Sequence, residues 1–201
     1  MNKFANYMLL SPSNGQKIPF GSLWSGNKAV VFFMRRFGCV LCRHTAFKLS
    51  KMAPQLSANN VRLAAIGPEK LGYDEFKQGK FFAGEIYVDE SKELYNSIGY
   101  KREGFLGLMG ELIKGKLTAM SNEAKKDGVT GNMKGDVHQL GGVLVLDSAG
   151  NKLYEFVQNE ATDQPDYAAV AAAAGVSFDK SAIDSVTGPE TCDTECSVPK
   201  K

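Results

Sequence analysis

The class this sequence predicts is an α/β fold: a central mixed β-sheet flanked by helices. Three observations predict it. Strand-like runs at Ala29–Met34, Val61–Ile66 and Glu85–Val88 alternate with helical stretches. Two further runs, Val143–Leu146 and Leu153–Val157, lie either side of Asp147-Ser148-Ala149-Gly150, the pattern of an antiparallel hairpin. The 201 residues, 43% hydrophobic and 23% charged, suffice for one domain with a well-buried core.

Each element has its own local reason. Tyr7–Leu10 and Lys17–Phe20 flank the turn signal Ser13-Asn14-Gly15 and predict an N-terminal hairpin. Pro19 confines its second arm to a sheet edge or keeps it out of a strand. Ser22-Leu23-Trp24 leads through Gly26-Asn27 into Ala29–Met34, which is apolar on both faces, as a central strand should be. A helix follows over about Val40 to Ala53, with Pro54 marking its end. Glu69–Gln78 reads as a helix with Leu71 and Phe76 among its anchors. Ser91–Ile98 is a short helix with Ser91 as N-cap and Gly99 just past its end, and Glu85, Asp89 and Glu90 read as solvated or capping carboxylates.

Residues 101–137 form a partly helical insertion before the last hairpin. Phe105, Met109, Leu112, Ile113, Leu117 and Met120 recur there at helical spacing, and a polar glycine-rich loop, Gly131–Asp136, closes it. The stripe either lines an acyl-chain groove, with Lys101 or Arg102 at the head group, or simply packs on the core. Asp166–Ala174 is the last helix, ended by Gly175. Residues 1–176 therefore read as one domain and 177–201 as a mobile, polar tail carrying Cys192 and Cys196.

Composition narrows the function. A net charge of +2 is too small to argue for nucleic acid or an anionic membrane surface. The first ten residues resemble neither a signal peptide nor a membrane span, and no transmembrane segment follows. The expected compartment is the cytosol, where four cysteines serve catalysis, metal binding or packing rather than as structural disulfides.

Two of those cysteines stand out. Arg35-Arg36-Phe37-Gly38-Cys39 ends the central strand, and Cys42-Arg43 follows within the first helical turn. A cysteine pair at i and i+3, between a strand and a helix, is a thiol redox motif, and the element order is the thioredoxin-like arrangement. In that arrangement the loop Asp136–Gly142 faces Cys39. A free thiol near pKa 8.5 is only about 3% thiolate at neutral pH. The helix N-terminus, Arg36 before the turn and Arg43 one turn on favour the anion. A pKa of about 6.5 would raise the nucleophile about 25-fold, or about 2 kcal/mol. Cys42, one turn deeper, suits a resolving role.

Other readings stay open. Cys39, Cys42, Cys192 and Cys196 together could ligate zinc, although a pair leaving a buried strand forms no knuckle, and no metal is the preferred reading. Cys192 and Cys196 could relay electrons, pair with each other, or be incidental. His138, on the facing loop, is either a proton donor or a hydrogen-bonded structural residue. His44 points away and reads as structural.

Several segments also resemble one family. Arg35-Arg36-Phe37-Gly38-Cys39 with Cys42-Arg43, Ile66-Gly67-Pro68-Glu69, Phe82 to Lys92, Gly99-Tyr100-Lys101-Arg102, Gly131-Asn132 with Gly135-Asp136, and Gly141-Gly142 recur in order. They are similar to the peroxiredoxin-like proteins of the alkyl hydroperoxide reductase/thiol-specific antioxidant group, and within it to the branch of prostaglandin F synthases. No Pro-x-x-x-Thr-x-x-Cys box precedes Cys39, and Leu140-Gly141-Gly142 stands where thioredoxins carry a cis-proline. Both departures point away from general peroxidases and disulfide reductases, towards that branch. The resemblance implies a small lipid endoperoxide as substrate, reduced by a Cys39/Cys42 cycle. It also implies Gly141 and Gly142 on a substrate-facing loop, and thioredoxin or a similar dithiol donor as partner. NADPH would be the distant electron source; no Gly-x-Gly-x-x-Gly follows a strand, so no tightly bound cofactor is expected. The alternatives are a peroxidase acting on hydrogen peroxide or alkyl hydroperoxides, and a non-catalytic redox-responsive binding module.

Overall fold

Strand β3, Lys28–Phe33, lies at the heart of the molecule because its residues are buried on both faces. The computed structural model describes residues 3–102, 104 and 115–177. Val30 and Phe32, with Met34 just past the strand, enter one apolar cluster; Ala29, Val31 and Phe33 enter the other. This is the two-residue alternation of an extended chain between two layers. β3 pairs in parallel with β4, Val61–Gly67, and antiparallel with β6, Gly142–Leu146. β5, Glu85–Val88, adds in parallel to β4.

The expected hairpins frame the sheet. β1, Met8–Leu10, and β2, Lys17–Pro19, pair antiparallel, as do β6 and β7, Lys152–Val157. The seven-stranded order is β2-β1-β5-β4-β3-β6-β7. Pro19 sits on the edge strand, where its missing N–H breaks no ladder.

Helices cover both faces. α1, Val40–Ser50, and the last helix, Tyr167–Ala174, supply Phe47, Leu49 and Val170 to the first cluster. A 3₁₀ turn, Phe20–Trp24, and a helix over Glu93–Ile98 supply Phe20, Leu23, Leu94 and Tyr95 to the second. The Tyr95 hydroxyl reaches the Met34 carbonyl at 2.8 Å and the Ile66 carbonyl at 2.6 Å. It thus pins the ends of β3 and β4 where the cysteine turn begins.

Four local expectations need correction. Pro54 does not end α1; it lies in the first turn of a second helix, α2, Ala53–Ala58, where a missing N–H costs nothing. The next helix, α3, is Tyr73–Gln78 and starts late, because Gly72 takes φ 85°. Leu71 is consequently 54% exposed and anchors nothing, while Phe76 is buried. The helix Glu93–Ile98, α4, has Lys92 rather than Ser91 at its N-cap position; the Asp89 carboxylate accepts the N–H groups of Leu94 and Tyr95, and the Ser91 hydroxyl accepts that of Glu93 at 3.3 Å while donating to Asp89.

Of the insertion, α5 spans Lys116–Lys126, with Leu117 and Met120 against the core; Phe105, Met109, Leu112 and Ile113 lie outside the described residues. α6, Tyr167–Ala174, is capped by the Asp166 carboxylate and closed by Gly175 at φ 80°. Among the described residues no helix is long and apolar enough to cross a membrane.

Candidate active site

The chain leaves β3 through Arg35 and Arg36, both buried. Phe37 then plugs the turn against Tyr73 and Phe76, at ring distances of 5.8 and 5.2 Å. Gly38 is required by what lies over it. A Cβ there would stand 2.3 Å from Asn132 Oδ1 and 2.8 Å from the Lys134 carbonyl. Gly131 is equally tight, since its Cβ would fall 2.5 Å from the Val40 nitrogen. The two segments meet backbone to backbone, and the Asn132 N–H donates to the Gly38 carbonyl at 2.7 Å.

Cys39 is the N-cap of α1, with extended backbone and no side-chain capping bond. Its carbonyl accepts the Arg43 N–H at 2.9 Å, leaving the sulfur free for other partners. Cys39 and Cys42 are both free thiols and both buried, 5% and 4% exposed, so burial hardly distinguishes them. The Cys42 thiol donates to the Cys39 sulfur, and this is the largest influence bringing the Cys39 pKa from 9.0 to about 5. Burial opposes it, while Arg35, Arg36 and the Cys42 N–H assist. The same hydrogen bond, then burial and the Cys39 charge, push Cys42 well above its ordinary value. One thiol is thereby set as anion and its neighbour as proton holder.

The arginines also hold the fold together. Arg35 donates to the carbonyls of Val137, Gln139 and Ala161 at 3.0, 3.3 and 3.4 Å. Arg36 donates to those of Asn132 and Lys134 at 2.6 and 3.0 Å. Arg43 donates to the Phe37 and Thr130 carbonyls, lies 3.7 Å from Glu75 and stacks over Phe81. Burial lowers its pKa, with Glu75 and then Cys39 acting the other way. Arg43 therefore feels the thiolate, but Arg35 and Arg36 are the cations that chiefly lower Cys39. Arg35 was not expected in the site. The available signal was a charged pair directly after a strand apolar on both faces, where both side chains must be covered.

A predominantly apolar cavity of about 570 Å³ opens at Cys39. Val40, Val137, Ala161 and Met133 supply apolar walls, Arg35 and Arg36 one side, and Leu117, Ser121 and Lys125 of α5 the other. Another cavity of about 600 Å³ lies at the N-terminal hairpin and contains neither cysteine nor histidine.

The remaining expected residues fall elsewhere. The facing loop does reach the site, through Val137, but the segment Thr130–Lys134 packs closer on the cysteine turn. His138 does not line the cavity; its N–H donates to Asp136. Gly141 and Gly142 do not line the cavity at Cys39. Both are buried, and a Cβ on either would fall 2.0 Å from a carbonyl, of Phe33 and of Phe156 respectively. The pair lets β6 enter the sheet. His44 is structural, hydrogen-bonded to Asp127 at 2.6 Å. Cys192 and Cys196, and with them a four-sulfur site, lie outside the described residues.

Comparison with known proteins agrees with this geometry. Residues 48–160 match the family described as AhpC/TSA antioxidant enzyme, a span that begins just past Cys42. The chain is 38% identical over 195 residues to the prostamide/prostaglandin F synthase of Aquarana catesbeiana, covering 96% of each. It is 40% identical over 182 residues to that of Homo sapiens, covering 90% of each. In fold it resembles peroxiredoxin Q of Xanthomonas campestris, with TM-score 0.58 at 14% identity, covering 87% of this chain and 92% of that one.

Proposed function

The chain belongs to the prostamide/prostaglandin F synthase family, within the AhpC/TSA antioxidant enzymes, and from that premise we propose the reaction of this oxidoreductase. Cys39 and Cys42 reduce the endoperoxide of a prostaglandin H-type lipid, its ethanolamide included, to the F-type diol. One observation carries the reading: a thiolate-favouring Cys39, paired with a neutral Cys42, opens onto a predominantly apolar cavity of about 570 Å³. Hydrogen peroxide has no use for such walls, whereas a lipid fills them.

With a pKa of about 5, Cys39 is about 99% thiolate at neutral pH, against about 1% at 9.0. The thiolate attacks one endoperoxide oxygen; an S–O bond forms, the O–O bond breaks, and the departing alkoxide takes a proton from water. The lipid is then held as a sulfenate ester on Cys39. Cys42 attacks that sulfur; an S–S bond forms, the S–O bond breaks, and the Cys42 proton completes the second hydroxyl. The substrate gains two hydrogens and the protein a Cys39–Cys42 disulfide. Arg35 and Arg36 hold positive charge beside the reacting sulfur throughout. A dithiol donor of the thioredoxin type restores the thiols by exchange, in the reducing cytosol, with NADPH as the ultimate electron source and no tightly bound cofactor.

The test is NADPH consumption coupled through thioredoxin and its reductase, with prostaglandin H, its ethanolamide, hydrogen peroxide and an alkyl hydroperoxide as substrates. The expected order places the endoperoxides first, with the Cys39→Ser variant inactive on all four and Cys42→Ser unable to turn over. A full rate in Cys39→Ser, or faster reduction of hydrogen peroxide than of either endoperoxide, overturns the proposal.

A further inference from the structure

The wall that α5 presents to the cavity is not explained by the thiol chemistry. Leu117, Ser121 and Lys125 recur every four residues and all line the cavity, so they form one stripe running about 12 Å along the helix. The stripe passes from an apolar side chain through a hydroxyl to an ammonium. The other cations around the cysteine face are committed. Arg36 and Arg43 are bonded to carbonyls, Lys134 to Glu75, Lys92 and Arg102 to Asp136, and Lys48 to Glu123. The Lys125 ammonium has no carboxylate or carbonyl partner among the described residues. An unpaired cation at the rim of an apolar cavity complements an apolar chain that ends in a negative charge.

We propose that Lys125 binds the carboxylate of a lipid acid whose oxidised segment lies at Cys39, so that the protein prefers the free acid to its neutral ethanolamide. The inference rests on the lipid-endoperoxide reading for the reacting end of the substrate; the carboxylate end rests on the cavity alone. An ion pair that stays partly exposed contributes about fivefold in affinity and is screened by salt. The apolar walls bind acid and ethanolamide alike, so the discrimination comes from the head group.

The test compares kcat/KM for prostaglandin H and for its ethanolamide in the wild type, Lys125→Gln, Lys125→Glu and the control Lys126→Gln. The ratio of acid to ethanolamide is expected to fall about fivefold in Lys125→Gln and further in Lys125→Glu. It should hold in Lys126→Gln and decline with added salt only where Lys125 is present. A ratio unchanged in both Lys125 variants overturns the proposal. A second arm needs no turnover: calorimetric titration of arachidonic acid and arachidonoyl ethanolamide into the reduced protein. If neither endoperoxide is reduced but arachidonic acid binds in a Lys125- and salt-dependent manner, the reaction is wrong and the carboxylate subsite stands. If acid and ethanolamide bind alike to the wild type and Lys125→Glu, the subsite is overturned whatever the reaction.

Discussion

Replacing Cys42 by alanine should be felt first in the acidity of Cys39. The Cys42 thiol makes the largest contribution to holding Cys39 at about 5, and alanine removes it while leaving Arg35 and Arg36 in place. A hydrogen bond to a charged group contributes about 1.5–3 kcal/mol. At about 1.4 kcal/mol per decade of acidity, the Cys39 pKa rises to about 6–7. Serine at position 42 keeps a donor and should leave Cys39 close to 5. The assay is the rate of Cys39 alkylation by iodoacetamide against pH, read by peptide mass spectrometry with Cys192 and Cys196 changed to serine. The alanine midpoint should lie clearly above those of the wild type and the serine variant. A midpoint shared by the alanine and serine variants, wherever it falls, would refute the reasoning, because only one of them retains a donor.

Three further outcomes follow from the same geometry. Asp127→Ala leaves the buried His44 ring without its partner at 2.6 Å, so the urea midpoint should fall by the equivalent of about 1–3 kcal/mol while the Cys39 alkylation midpoint holds. Gly141→Ala drives a Cβ to 2.0 Å from the Phe33 carbonyl and should lower the melting temperature, a cost of about 1–3 kcal/mol or more, because neither the end of β3 nor the chain entering β6 can yield freely. The reduced protein should also gain stability with pH relative to Cys39→Ser. The folded Cys39 pKa of about 5 lies below its unfolded value near 9.0, so the unfolded chain binds more protons between them. This contribution is complete above about 9 and lost as pH falls through about 5. Cys42, displaced upward, acts with the opposite sign only above its ordinary value. Urea midpoints under reductant at about pH 6 and pH 8 test the slope.

What could be read from the sequence was what local chemistry decides. The run Ala29–Met34 announced a strand buried on both faces, and Asp166 and Gly175 announced the ends of the last helix. Pro54 misled because proline suits both the stop of one helix and the first turn of the next. Leu71 misled because apolar spacing cannot register that Gly72 is left-handed and delays the helix. The cysteine pair was legible, since strand, turn and helix N-terminus adjoin in sequence. The partners that set its chemistry were less so. Arg35 is fixed by carbonyls 102, 104 and 126 residues away, a placement no local pattern contains. Gly141 and Gly142 carry the family resemblance, but what each closely approaches is strand backbone, of Phe33 and of Phe156, a long-range contact that no local pattern contains. The cavity wall on α5 was foreshadowed by the stripe ending at Met120, but Ser121 and Lys125, which carry its polarity, interrupt an apolar pattern and so escape it.

The central claim is that the electrons pass through one dithiol, Cys39 and Cys42. Its most direct test is a single turnover, in which reduced protein meets an equimolar prostaglandin H endoperoxide without a recycling system, followed by intact mass and peptide mapping. The wild type should lose two hydrogens, show a disulfide between Cys39 and Cys42, and yield one F-type diol per chain. The Cys42→Ser variant should hold the whole lipid on Cys39. Diol formed while both thiols stay reduced, or a disulfide that excludes either cysteine, would contradict the account.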